Sequence, residues 1–233
     1  MVEVLAANDQ NSLIWWDWVD RHLHDIGVAL GQHVELTGIA VGCGLVVAAP
    51  LALLARRYRF LQGPILAVSG VLYTIPSLAL LFLLGPVTGY TSLLTVEIVL
   101  VTYTLLILIR NMITGLDEVS DDVREAAIGM GYTRRGLLWR VEIPLALPSI
   151  VAGIRIATVT TVGLVTIAAL LTQGGLGGLI LTGIDRDFPT PLMVGSILAV
   201  ALALVADALL VLAQRLVMPW SRAQTDQVTQ VVR

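Results

Sequence analysis

Five stretches of this chain are long and apolar enough to cross a lipid bilayer, and that feature removes most fold classes at once. A helical span needs about 20 predominantly apolar residues. The runs at roughly 34–55, 64–84, 92–116, 148–172 and 191–213 meet that requirement. Composition agrees: 57% of the 233 residues are hydrophobic and 13% are charged, against about a quarter charged in a soluble domain. The expectation is an all-α polytopic membrane protein of about five spans. Gly42, Gly44, Pro50, Gly70, Pro76, Gly153 and Gly163 recur inside the runs. Such residues are tolerated where neighbouring helices re-satisfy the freed backbone groups, so the spans are read as a packed bundle.

Arginine sets the direction. The chain contains no lysine, which excludes a G-x-x-x-x-G-K phosphate loop and any Schiff-base lysine in this chain. Arg56, Arg57 and Arg59 follow the first run, and Arg124, Arg134, Arg135 and Arg140 separate the third from the fourth. Arg215, Arg222 and Arg233 follow the fifth, whereas the other side carries only Arg21 and Arg186. Positive loops stay in the cytoplasm. That places the N-terminus on the outer side of the membrane and the C-terminus on the inner side. The acidic opening MVEVLAANDQ has no cleavable-leader pattern.

Before the first run, Trp16, Val19, Leu23, Ile26 and Leu30 fall at helical spacing, with Asp17, Asp20, Arg21 and His24 on another face. This reads as an amphipathic helix lying on the outer surface, with Trp15, Trp16 and Trp18 in the headgroup layer. His22 and His24 lack a third ligand, so a solvated polar face is the reading and no metal is expected. Cys43 is a lone packing or lipid-side thiol.

Between the third and fourth runs the oil is interrupted by DDVREAAIGMGYTRRG, residues 121–136. Asp122 and Glu125 have the D-x-x-E form of a capping box, and Ser120 and Asp121 add acceptors and negative charge at a helix start. Glu125, Ala126 and Ala127 favour helix. Gly129 and Gly131 stop it, with Gly131 placed to turn the chain. Pro144 and Pro148 mark the start of the fourth span. The result is a short helix with a small-residue face that another protein's backbone can approach.

The spacing is specific: Glu125-Ala126-Ala127, three residues, Gly131, nine residues, then Val141-Glu142-Ile143-Pro144. It resembles the coupling loop of bacterial ABC importer permeases, with Val for Ile and Ile for Leu in the final motif. The resemblance covers about 31–215. YTIPSLALL (73–81), VEIPLALPSIVAGIRIATV (141–159) and GGLGGLI (174–180) are similar to the osmoprotectant branch, which handles glycine betaine, choline, carnitine and related quaternary amines. The resemblance implies a type-1 transmembrane domain at 32–214 with its coupling loop at 117–147, an extracytoplasmic segment at 1–31, and a cytoplasmic tail at 215–233. It implies that Glu125, Ala126, Ala127, Gly131 and Pro144 couple the chain to a separate ATP-hydrolysing subunit. ATP and Mg would be bound by that partner, with no cofactor or catalytic residue in this chain. A binding protein would deliver cargo from outside, and the pore would be completed by a second copy or a sister permease. No nucleic-acid partner is implied. Within the same superfamily, methionine or ergothioneine are alternative cargoes.

Three ionisable residues lie at membrane depth, where charge is costly: Arg110, Arg155 and Asp207. Each sits about seven to nine residues, or roughly 10 to 13 Å, from the cytoplasmic end of its span. Asp207 is expected to pair with Arg155 or Arg110 and tie the third, fourth and fifth spans together; a gate or cation pathway is the other reading. Glu35 and Glu97 are near outer ends and can reach the interface. A quaternary ammonium is held by aromatic faces, and Tyr73, Thr74, Pro76 and Tyr103, where a helix should break, are the candidate path or else ordinary packing. Gly174 and Gly178 have the G-x-x-x-G relation that permits close helix contact. Asp185, Arg186 and Asp187 form an outer charge cluster that either docks a binding protein or is a solvated loop. A secondary transporter would show inverted repeats and a membrane enzyme would cluster His, Asp or Glu at depth. The sequence shows neither pattern.

Overall fold

The computed structural model describes residues 13–172 and 174–218. The tail arginines Arg222 and Arg233, the acidic opening and most of the expected C-terminal tail lie outside the described residues. Among the described residues the α-helices follow in order: α1 (Trp16–Arg21), α2 (Leu23–Arg57), α3 (Arg59–Thr74), α4 (Ser77–Thr88), α5 (Leu93–Asp117), α6 (Asp121–Gly129), α7 (Arg134–Leu137), α8 (Ile143–Thr172), α9 (Gly175–Asp185) and α10 (Pro189–Val217). A π-helical turn, Leu138–Glu142, joins α7 to α8. Pro144 lies just beyond it. A proline that cannot donate its amide and crowds the preceding turn is a common cause of such widening.

Among the described residues, four helices are long and apolar enough to cross a membrane: α2, α5, the α7–α8 continuum and α10. A fifth crossing exists only if α3 and α4 are taken together, and they bend by 96° at their junction. The expected span at 64–84 is thus a broken one, with the break beside Pro76 where the sequence places it. Pro76 has no N–H and forces Ile75 out of the helical region (φ −66°, ψ 127°), which ends α3 there. The first span differs from expectation. Its helix starts at Leu23 rather than near residue 34, and at about 1.5 Å per residue its 35 residues outreach a ~30 Å hydrocarbon layer. Only Trp16–Arg21 remains a separate helix. Trp15 and Trp18 lie edge-on to Phe188 at 6.3 and 5.7 Å, and the Trp15 amide donates to Thr190 Oγ1 at 2.9 Å. Trp15 and Trp18 therefore fasten the segment before α2 to the start of α10, while Trp16 between them is broadly exposed.

The centre of the bundle is α5, which packs on α2, α3, α4 and α8; α10 packs on α8 and α9. One core cluster joins Leu36, Leu81, Val96, Leu100 and Tyr103, and a second joins Ala52, Leu108, Ile109 and Ala157. Close crossing depends on small residues. A Cβ on Gly115 would lie 2.9 Å from the Ala146 carbonyl, so α5 and α8 touch backbone to backbone there.

Helix α9, at 11 residues, is too short to span. Its position is set from α2. Gln32 Oε1 accepts from the Gly175 amide at 3.0 Å, and His33 Nδ1 accepts from the Leu176 amide at 3.3 Å. With Nδ1 accepting, His33 Nε2–H donates to the Val162 carbonyl at 3.0 Å. One fully buried imidazole thus joins α2, α8 and α9. His33→Ala strands the amide and the carbonyl and is expected to destabilise the fold by about 1–3 kcal/mol. The check is the thermal midpoint of the purified chain in detergent.

Candidate functional site

The segment at 117–147 is built from local backbone chemistry and long-range ion pairs. Helix α6 begins at Asp121 with Ser120 at the N-cap, and no side chain caps it. The expected Asp122–Glu125 capping box is therefore absent: Asp122 is already in the first turn, where its charge still complements the helix dipole. The C-terminus is closed by a Schellman motif. The Tyr132 amide reaches the Ala127 carbonyl at 3.2 Å, and the Gly131 amide reaches Ile128 at 2.9 Å. Gly131 has φ +87°, a conformation that side-chain-bearing residues rarely adopt.

The exposed surface of α6 has two parts. Asp121, Asp122 and Glu125 make the first half acidic, and Ala126, Ile128 and Met130 continue as an apolar patch, 59% and 71% exposed at the last two. Trp139, on the following turn, is also exposed. Ala127 is 2% exposed and turned into its own chain. Its small side chain therefore serves the seating of α6, not the close approach of a partner that the sequence reading gave it.

What holds α6 down was missed by that reading. Arg124 donates to Glu142 Oε1 at 2.9 Å, to Asp121 Oδ1 at 2.5 Å and to the Leu116 carbonyl at 2.8 Å. Arg56 donates to the same Glu142 oxygen and to the same Leu116 carbonyl, each at 2.6 Å, and to Asp117 at 3.1 Å. Burial would lower the pKa of Arg124, but its hydrogen bonds to Glu142 and Asp121 more than offset this and hold it above its ordinary value. Sequence reading used Arg56 and Arg124 only as orientation markers. The one available signal was Glu142, a lone acid in the otherwise apolar VEIPLALP.

At membrane depth, Arg155 and Asp207 form a two-pronged pair. Nε donates to Oδ1 at 2.7 Å and Nη2 to Oδ2 at 2.9 Å, linking α8 to α10. Arg110 stands apart: it lines a separate groove with Gln62, Asp117 and Glu118, and has no ion pair among the described residues. The expected three-member network is thus two-member. Arg110 is exposed on α5, which packs on α8 but not on the α10 face that carries Asp207.

At the break between α3 and α4, Tyr73 and Tyr103 approach with ring centroids 5.5 Å apart. The Tyr103 hydroxyl donates to the Ile75 carbonyl that the break leaves free, and Thr74 Oγ1 turns back to Val71 at 2.7 Å. Tyr103 is buried, whereas Tyr73, Thr74 and Pro76 lie on the exposed side. At the end of the bundle opposite Arg56, Asp185 and Arg186 line a groove of about 730 Å³ with His24, Asp25, Gln32 and Thr182. Asp187, at φ 49°, closes α9 beyond it. Close packing of α9 is permitted at Gly177, against Thr166 of α8, at Gly183, against Leu192 of α10, and at Gly195 of α10, against the Leu176 carbonyl. His22 stacks on Trp18 at 4.2 Å, and no metal-binding group of His, Cys, Asp or Glu occurs among the described residues.

Comparison with known proteins adds family relationships. Residues 40–222 match the family model for the binding-protein-dependent transport system inner membrane component. The chain is 39% identical over 183 residues to the osmoprotectant import permease protein OsmW of Salmonella typhimurium, covering 77% of this chain and 85% of that protein. It is 33% identical over 189 residues to the glycine betaine/carnitine/choline transport system permease protein OpuCB of Bacillus subtilis, covering 81% and 87%. In three dimensions it is similar to a chain of the inward-facing MetNI methionine ABC transporter, with a TM-score of 0.70 at 22% identity over 80% of this chain and 93% of that one.

Proposed function

The chain belongs to the family of binding-protein-dependent transport system inner membrane components, and from that premise we propose that it carries osmoprotectants of the quaternary-amine class. It is the membrane permease subunit of an ABC importer, and ATP hydrolysis belongs to a separate subunit. The observation that carries the cargo assignment is the identity, over about four fifths of the chain, to permeases named for osmoprotectant, glycine betaine, carnitine and choline transport.

In this reading the arginine-rich end of the bundle faces the cytoplasm and α6 docks on the ATPase. Its acidic half calls for basic partner groups, and Ile128 and Met130 call for an apolar pocket between them. The partner holds ATP and Mg. The binding protein lands at the opposite end, where Asp185, Arg186 and Asp187 are exposed. Tyr73, with Thr74 and Pro76 beside it, lines the path, and Tyr103 steadies the break that exposes them. A quaternary ammonium is drawn to such aromatic faces. A second permease copy or a sister chain closes the passage.

The test is to co-express the neighbouring reading frames, purify the complex and screen its binding protein by thermal shift. Stabilisation by glycine betaine, choline or carnitine, with ATP-dependent uptake of the same solute into proteoliposomes, is the expected result. Stabilisation by ergothioneine or methionine alone would replace the cargo assignment, and uptake without ATP would replace the mechanism.

A further inference from the structure

One carboxylate gathers four separate elements. Glu142 lies in the π-helical turn leading into α8, Arg56 lies in the last turn of α2, Arg124 belongs to α6, and Leu116 lies in the last turn of α5. Both guanidiniums bond the same Glu142 oxygen and the same Leu116 carbonyl, at 2.6 to 2.9 Å. The Glu142 side chain is 9% exposed. Asp117 and Asp121 neutralise the outer edges of the two arginines, and Arg59 reaches Asp117 at 3.4 Å. Charge-assisted bonds with this geometry are among the stronger polar contacts.

Apolar packing cannot substitute for them. Ala127 is the one buried residue of α6, and a methyl group fixes neither tilt nor rotation. Without the ion pairs, α6 would be a short helix on two tethers, free to shift while the spans stayed in place. With them, any displacement of α6 bears on the ends of α2, α5 and α8 together.

We propose that Glu142, with Arg56 and Arg124, is the joint that passes motion of α6 into the spans, which makes these three positioning residues of the transport cycle. The proposal rests on the reading that α6 docks on the ATPase. The test uses the whole complex, with its ATPase subunits and binding protein, in proteoliposomes supplied with ATP and radiolabelled glycine betaine. Glu142→Gln keeps the shape and removes the charge. ATP hydrolysis per assembled complex should stay within about two-fold, while uptake per ATP hydrolysed falls about ten-fold, a magnitude ordinary for coupling between sites. Glu142→Asp, which keeps the charge on a shorter arm, should recover part of the ratio. A purely structural role would lower hydrolysis and uptake in proportion to the complex recovered, so an unchanged ratio overturns the proposal. If the Glu142→Gln complex does not assemble, Arg124→Lys decides by the same ratio, since it keeps the charge but loses the fork to Leu116. A parent complex that ignores glycine betaine, choline and carnitine alike refutes the cargo and leaves the joint testable with the solute that stabilises the binding protein.

Discussion

Gly131→Val is expected to lower ATP-driven uptake by about 100-fold, the rate equivalent of roughly 3 kcal/mol, while the chain still reaches the membrane in normal amount. The cause is conformational, not steric. A Cβ at this position would meet nothing within 4 Å in the chain, so space is not at issue. The backbone stands at φ +87°, where a β-branched residue is strained by about 1–3 kcal/mol. Relief of that strain means leaving the left-handed region. The two bonds that end α6, from Tyr132 to Ala127 and from Gly131 to Ile128, would then be lost together. The helix would extend or fray, and the surface formed by Glu125, Ile128 and Met130 would point elsewhere. Gly131→Asn supplies the control, because Asn tolerates positive φ better than other side-chain-bearing residues. It should retain much of the uptake. Equal loss in both variants would mean that a partner needs the bare glycine surface, and equal retention would mean that the turn does not govern coupling. Membrane fractions report insertion, and proteoliposome uptake reports the effect.

The parts of the molecule legible in its sequence are those whose physics is local. Span-length apolar runs, the α6 helix and its glycine stop each follow from neighbours a few residues away. So did the break beside Pro76, although the 96° angle did not, because a proline ends a helix without choosing the direction of the next one. Misreadings arose where two local signals competed. Asp122–Glu125 satisfies the capping pattern and would start the helix at Val123, but helix geometry begins two residues earlier, at Asp121. The amphipathic spacing from Trp16 to Leu30 is real, yet from Leu23 onward the helix runs unbroken into the first span. What stayed hidden is long-range. The Arg56–Glu142 pair closes across 86 residues, and His33 and Gln32 reach α9 across 143. No periodicity encodes such partners. The inward turn of Ala127 depends on the same tertiary seating, since composition alone cannot distinguish the face that touches a partner from the face that touches its own bundle.

Asp207→Ala is expected to have the second large effect, cutting the amount of assembled complex about ten-fold, because a charge left alone at membrane depth is far more costly than one that is paired. Arg155 spends both prongs of its guanidinium on Asp207, and Arg155–Asp207 is the ion pair joining α8 to α10 among the described residues. Arg110 cannot replace the lost carboxylate, being a cation on a different helix. The informative variant is the double one, Asp207→Met with Arg155→Met. Buried ion pairs can often be exchanged for apolar side chains of similar volume with little loss of stability, so assembly should return close to the parent level. Uptake by that restored complex then separates the two readings of the pair. Full uptake makes it a clamp between α8 and α10 and nothing more. A well-assembled complex that fails to move solute makes the charges part of the path. Failure of the double variant to restore assembly would show that the geometry of the bidentate bond, rather than charge compensation, is what α8 and α10 require.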